Sequence, residues 1–246
     1  MWQITPIETG MIEVTAVEAI NRSGVHHHPE ETLYVPNISY ILENKMAELT
    51  VLVDPGLRKH VVTSNSRKII QTEKHIRALE KIRSIEYSFV LLTHLHKNCA
   101  EGIMELSGKP TIYIQKKEMQ YAVAPYEIER RYYGYEDQDT MQHTLHFVSA
   151  YHQFPFLSGS KQIAPGLICI SLPGHTPGYQ AVYVKGETKN YLIAGDLLFT
   201  SKNIDLKLPP SIRTDTAAAV LSIQKILNMN CVILPGHDAS VFELTK

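Results

Sequence analysis

The chain predicts an α/β protein. Short apolar runs rich in Val, Ile and Leu alternate with segments whose apolar residues recur at helical spacing. Four of those runs end in turns that set a histidine or an aspartate beside or just after a tight loop, three of them next to glycine. The 246 residues, 44% hydrophobic and 20% charged, are enough for one large domain or two small ones with a substantial core.

Taken in order, Ile12, Val14 and Ala16 alternate with polar residues and predict a strand. Residues 21–36 read as a loop. It carries His26-His27-His28-Pro29, an exposed polar stretch whose histidines are open to a metal or pocket role. Strands follow over 38–42 and 49–53, joined by Glu43-Asn44-Lys45, and the second ends in the turn Asp54-Pro55-Gly56. Ile69, Ile70, Ile76, Leu79 and Ile82 predict a helix over 66–83. The apolar run 89–92 predicts a buried strand. A short helix over 102–106, a strand over 111–114 and a helix over 116–123 come next.

Residues 126–166 break the alternation. They hold Tyr132, Tyr133, Tyr135, Phe147, Tyr151, Phe154 and Phe156 with His143, His146 and His152, at poor periodicity. Two readings stand: a lid of helix and loop over a site, or an aromatic mini-core packed on the main body. Strands are then expected over 167–172, 179–184, 191–194 and 231–234. A helix over 214–227 is expected with Ala217, Val220, Leu221, Ile223 and Leu227 on its apolar face.

Composition excludes some roles. A net charge of −1 without a basic block gives no support for nucleic-acid binding. No stretch approaches the roughly 18 apolar residues of a membrane helix. The start, Met1-Trp2-Gln3-Ile4-Thr5-Pro6, lacks the charged and apolar regions of a secretory signal. Cys99, Cys169 and Cys231 are few, odd in number and far apart. They predict free thiols in a reducing, cytoplasmic setting, with Cys169 and Cys231 as small core residues.

The chemistry gathers around Thr93-His94-Leu95-His96-Lys97-Asn98-Cys99, directly after the 89–92 strand. Two imidazoles at i and i+2 on a tight loop can face one cleft, and neutral imidazole is a favoured ligand for zinc and related divalent ions. Pro173-Gly174-His175-Thr176-Pro177-Gly178, Gly195-Asp196 and Pro235-Gly236-His237-Asp238 supply further donors at three other strand ends.

This ordered set resembles the metallo-β-lactamase superfamily, and the phrase from Pro173 to Gln180 is most similar to N-acyl homoserine lactone lactonases. The resemblance implies a four-layer αββα sandwich over 1–246, with the aromatic insert at about 125–166. It implies a first zinc held by His94, His96 and His175, with Asp196 bridging to a second ion bound by His237. A zinc-bound water would lose its proton near neutral pH and attack a carbonyl carbon.

Three positions depart from the family pattern. The motif His-x-His-x-Asp-His reads here as His94-Leu95-His96-Lys97-Asn98-Cys99, and Phe199 stands where the lactonases carry a tyrosine. Asn98 cannot act as a base. Cys99 is a candidate thiolate ligand, but its side chain is shorter than histidine's. One zinc is expected and a second stays open, as do iron and manganese. Asp196 and His237 are the candidate catalytic residues, with His237 either a ligand of the second ion or a proton carrier.

The expected activity is metal-dependent hydrolysis of a lactone, ester or related carbonyl compound with an apolar or aromatic part, by a monomer or homodimer without nucleic-acid or membrane partners. Two alternatives accompany it. One is a diverged member of the fold that binds a metal or ligand without catalysis. The other is a thioesterase-like or non-hydrolytic biosynthetic step on the same scaffold.

Overall fold

Strand alternation builds the core. Val51 and Val53 point one way and Leu52 the other; Leu91 follows the first pair, Val90 and Leu92 the second. Both faces of these strands are therefore apolar, and both must be covered. The structure, a computed structural model, describes residues 1–20, 31–59, 69–108, 110–135 and 155–246.

One sheet has six strands in the order β4 (Ile69–Ile70), β1 (Gln3–Thr15), β2 (Thr32–Asn44), β3 (Leu49–Val53), β5 (Phe89–Leu91) and β6 (Thr111–Tyr113). The other has five: β11 (Val232–Pro235), β10 (Asn190–Gly195), β9 (Gln180–Lys185), β8 (Leu167–Ser171) and β7 (Lys161–Ala164). The central core lies between them. Ile4, Tyr40, Leu42, Val51 and Leu91 of the first sheet meet Leu167, Cys169, Val182, Val184 and Ile193 of the second.

The first four α-helices are α1 (Ala16–Ile20), α2 (Glu73–Ser84), α3 (Lys97–Ala100) and α4 (Lys116–Val123); α2 and α4 cover the outer face of the first sheet, through Ile82, Met119 and Ala122 against Ile41, Leu52, Val90 and Ile112. The outer face of the second packs on the Thr216–Leu227 helix, where Ala219, Ile223 and Ile226 meet Ile170, Ala181, Leu192 and Ala194. This is the αββα layering expected. Among the described residues no helix is long and apolar enough to cross a membrane. All three cysteines are free, Cys169 fully buried and Cys231 only partly so.

Several elements differ from their sequence reading. β1 begins at Gln3, well before Ile12, and ends before Ala16, which opens the short helix Ala16–Ile20. Pro6 and Gly10 disguise the strand. Pro6 is tolerated because β4, the second neighbour of β1, pairs only with Met11 and Ile12, so most of β1 is an edge. Residues 32–36, expected as loop, belong to β2. Residues 21–30, with the three adjacent histidines, lie outside the described residues, as do 136–154, with His143, His146 and His152.

The helix expected over 66–83 starts only at Glu73. Ile69 and Ile70 instead pair with β1, and Thr72 and His75 form a capping box at the break. Tertiary pairing overrode a periodicity that spanned both elements. The Thr216–Leu227 helix buries Ala219, Ser222, Ile223 and Ile226, while Leu221 is 66% exposed, so its inward face is turned from the one expected. In the aromatic insert, Glu127–Tyr133 is a 3₁₀ helix, and Lys161–Ala164 at its far end is strand rather than lid.

Gly178 fits its place by lacking a side chain. A Cβ there would stand 2.0 Å from the backbone nitrogen of Glu118 at the start of α4. Gly178→Ala is expected to destabilise the fold by about 1–3 kcal/mol or more, read as a lower urea midpoint at unchanged m-value.

Candidate metal centre

The sheet directions bring the functional turns together. β8 and β9 are antiparallel, as are β9 and β10, while β10 and β11 are parallel. β8, β10 and β11 therefore run the same way, and the turns after them, carrying His175, Asp196 and His237, lie at one edge of the sheet. Gln180 joins that edge to the first sheet. Its backbone N–H donates to Thr93 O (3.0 Å), and its side-chain amide donates to Leu92 O (2.7 Å). Gln180 Oε1 accepts from Gln115 Nε2 (2.8 Å).

The ligand atoms of His94, His96, His175 and Asp196 all lie within 4.8 Å of one another, and all four residues are buried. His94 Nε2 and His175 Nε2 stand 3.7 and 3.8 Å from Asp196 Oδ2. His237 Nε2 is 3.1 Å from the other oxygen, Oδ1. His96 turns Nδ1 toward His175 Nε2, at 3.1 Å.

Hydrogen bonds on the far side of three rings fix which nitrogen carries the proton. His175 Nδ1 faces Ile212 O and His237 Nδ1 faces Pro36 O, both at 2.8 Å, and a carbonyl oxygen can only accept. Thr93 Oγ1 donates to Asp54 Oδ2 (2.7 Å), so it accepts from His94 Nδ1 (2.9 Å). In the neutral rings, Nε2 of His94, His175 and His237 thus presents a lone pair to the cluster. His94 Nε2 is buried and makes no hydrogen bond. His237 Nε2 and Asp196 Oδ1 are two acceptors in contact, which is stable only with a proton or a cation shared between them. The donor set fits a metal ion on these grounds.

Electrostatics agree. Burial pushes the His94 pKa down to about 3, keeping the ring neutral and able to ligate. Burial alone would raise the Asp196 carboxyl, but His237, His94 and His175 hold it well below the usual carboxylate range. Burial pushes the Asp54 carboxyl up to about 7, against the two hydrogen bonds from Thr93 that pull it down. Asp54 itself adopts φ 50°, a left-handed conformation that turns its carboxylate onto Thr93.

The unusual residues fall beside this cluster. Cys99 Sγ is 3.9 Å from Asp196 Oδ1, and burial raises its thiol pKa well above the ordinary value. Asn98 Nδ2 is 3.4 Å from both Asp196 Oδ2 and Cys99 Sγ. Phe199 packs its ring on His237, centroids 4.1 Å apart, and is otherwise enclosed by Ile12, Val35, Leu57 and Ile69. From the aromatic insert, Tyr132 and Tyr133 pack on His96 at centroid distances of 5.3 and 4.8 Å.

Glu118 went unrecognised in the sequence. Fully buried on α4, its carboxylate accepts from Leu95 N (3.0 Å), between the two histidines of the His-x-His loop. It also accepts from Thr176 Oγ1 (2.5 Å), Tyr133 OH (3.0 Å) and the Gly178 backbone. Nothing in its local sequence distinguishes it from a solvent-facing helix glutamate. Gly195, next to Asp196, has φ +53° and leaves space that a Cβ would take from Tyr179 OH, 2.3 Å away. That hydroxyl donates to Ala194 O (2.7 Å).

Two sheets enclosed by helices, with a histidine-rich donor cluster at their shared edge, define a protein of the metallo-β-lactamase fold. Within that class the chain is similar to the N-acyl homoserine lactonase of Bacillus cereus, 22% identical over 240 residues, covering 89% of this chain and 88% of the relative. A Bacillus sp lactonase is 21% identical over 229 residues, 85% of this chain and 84% of its own.

Among solved structures, a quorum-quenching N-acyl homoserine lactone hydrolase superposes with TM-score 0.77 at 22% identity, covering 97% of this chain and 93% of that one. A dizinc quorum-quenching lactonase in complex with a product superposes with TM-score 0.71 at 15% identity, covering 97% and 88%. These structural likenesses establish the fold. No family profile matches the chain.

Thr93 takes the Nδ1 side of His94 and so leaves the Nε2 lone pair toward the donor cluster. Thr93→Val is expected to weaken metal binding about 10- to 100-fold, measured by competition with a chromophoric chelator, while the far-UV circular dichroism is retained.

Proposed function

We propose that the chain is a metal-dependent hydrolase of lactones, esters or related carbonyl compounds, holding one zinc ion through His94 Nε2, His96 Nδ1, His175 Nε2 and Asp196 Oδ2. The observation that carries this reading is the buried donor cluster: Nε2 of His94 and of His175, on rings whose Nδ1 atoms are hydrogen-bonded away from it, stands 3.7 and 3.8 Å from Asp196 Oδ2, with His96 beside them. When bound, the ion supplies a Lewis acid and a water acidified to near neutral pH. Iron and manganese accept the same donors. The relatives named above are lactonases, which supports carbonyl hydrolysis as the reaction.

The chain's own residues do the rest. Asp196 offers Oδ2 to the ion side and Oδ1 to His237. His237 keeps its Nδ1 proton on Pro36 O and carries a second proton at Nε2, the transfer that Asn98 cannot perform. Phe199 covers one face of the His237 ring and keeps water off it, while contributing no hydroxyl to the substrate. The Asn98 amide lies between Asp196 and Cys99, where a second cation would need acceptors, which favours a single ion. The preserved donor cluster speaks against a binding protein that has lost its chemistry. Three free cysteines fit a reducing, cytoplasmic setting.

Elemental analysis is expected to return one ion per chain. Hydrolysis across a panel of lactones, esters and thioesters is expected to vanish on chelation and return with zinc; no metal-dependent turnover of any member would overturn the reading. His237→Gln is expected to lower kcat about 10²- to 10⁴-fold with the metal content unchanged, measured by steady-state kinetics alongside elemental analysis.

A further inference from the structure

Asn98 brings an amide to the edge of the donor cluster. Its Nδ2 stands 3.4 Å from Asp196 Oδ2, the same oxygen that lies 3.7 and 3.8 Å from His94 Nε2 and His175 Nε2. A carboxylate oxygen only accepts, so the amide turns its N–H groups, and not its oxygen, to this side. Both of its contacts there are weak. The one to Asp196 is long for a donor facing a carboxylate, and the other, also 3.4 Å, ends on Cys99 Sγ, a poor acceptor.

The backbone of Asn98, by contrast, is fixed. Asn37 Nδ2, buried on β2, donates to Asn98 O (2.8 Å) and to Thr9 Oγ1 (2.9 Å). The residue is therefore clamped at its carbonyl and loosely held at its amide. It is also partly exposed, whereas His94, His96, His175 and Asp196 are buried.

His94 Nε2, His175 Nε2 and Asp196 present lone pairs and no protons. Carbonyl hydrolysis also calls for a hydrogen-bond donor at the oxygen on which negative charge develops. The hydroxyls buried around the cluster are committed elsewhere: Thr93 to Asp54, Tyr133 to Glu118 and Tyr179 to Ala194 O. His237 Nε2 is engaged with Asp196 Oδ1 (3.1 Å), and Phe199 has no polar atom on its side chain.

We propose that Asn98 is a catalytic residue whose Nδ2 donates to the carbonyl oxygen of the substrate. As water adds to the carbonyl carbon, the π pair of the C=O bond moves onto that oxygen, and the amide holds it without transferring its own proton. The contacts to Asp196 and Cys99 are exchanged for a stronger, charge-assisted one. The assignment rests on the hydrolase reading above and adds a residue to its chemistry.

The test uses the metal-loaded protein and its Asn98→Ala and Tyr132→Phe variants; Tyr132 packs on His96 and is the rival donor. Asn98→Ala keeps the backbone carbonyl that Asn37 holds. In Asn98→Ala, kcat on a lactone or ester that the wild type hydrolyses is expected to fall about 10²- to 10³-fold, with KM little changed and one ion retained per chain. A second readout needs no turnover: the infrared C=O stretch of bound cyclopentanone, a carbonyl compound that cannot be hydrolysed. It is expected at lower frequency on the wild type than on Asn98→Ala, because donation to the oxygen weakens the C=O bond. An unchanged kcat in Asn98→Ala, or a fall that accompanies loss of the ion, overturns the proposal and leaves the hydrolase reading standing. A fall in Tyr132→Phe without one in Asn98→Ala gives the role to the tyrosine and also overturns it. If the wild type hydrolyses no member of the panel, the hydrolase reading falls and the ketone decides. A frequency difference between wild type and Asn98→Ala then supports the donor; equal frequencies, or no binding, overturn it as well.

Discussion

A buried carboxylate holds the site in register. Glu118 has no access to water, and a carboxylate in such a place costs several kcal/mol unless its oxygens are satisfied. Here four donors satisfy it, from the His-x-His loop, the His175 loop at two points and the aromatic insert. Hydrogen bonds to a charged group contribute about 1.5–3 kcal/mol each, enough together to offset the burial. The price of this arrangement is strict geometry. Gly178 must be bare to let its loop reach α4, and Leu95 must present its N–H between His94 and His96.

The imidazoles depend on a second layer of the same kind. Asp54, Ile212 and Pro36 come from parts of the chain far from the histidines they orient, one through Thr93 and two through backbone carbonyls. Carbonyl acceptors make the tautomer insensitive to side-chain substitution, since backbone oxygen is present whatever residue stands there. The His94 arm is different: it relies on a threonine hydroxyl and on an aspartate in a left-handed conformation, and so is open to mutation.

The departures from the family motif read differently in space than in line. Asn98 and Cys99 sit beside Asp196 and touch it only through weak, long contacts, Asn98 at Oδ2 (3.4 Å) and Cys99 at Oδ1 (3.9 Å). Phe199 replaces a hydroxyl with a ring that is part of an apolar cluster and a lid on His237. An amide, a thiol and a phenyl ring at these three positions leave the four-donor cluster intact.

The sequence by itself determined the layers and the donors. Alternation in 49–53 and 89–92 required two covered faces, and histidines or aspartate after four strands marked the functional edge, because strand-end turns are short and keep their chemistry local. It did not disclose the Ile69–Ile70 strand, the length of β1, the inward face of the Thr216–Leu227 helix, or the roles of Glu118 and Asp54. Each of these is settled by a partner distant along the chain: a neighbouring strand, an opposing sheet, or a loop 23 residues or more away. Local pattern records what a segment can bury. Which of its polar atoms find partners, and therefore which carboxylate is buried and which ring nitrogen faces the donor cluster, is decided only when the two sheets close on each other.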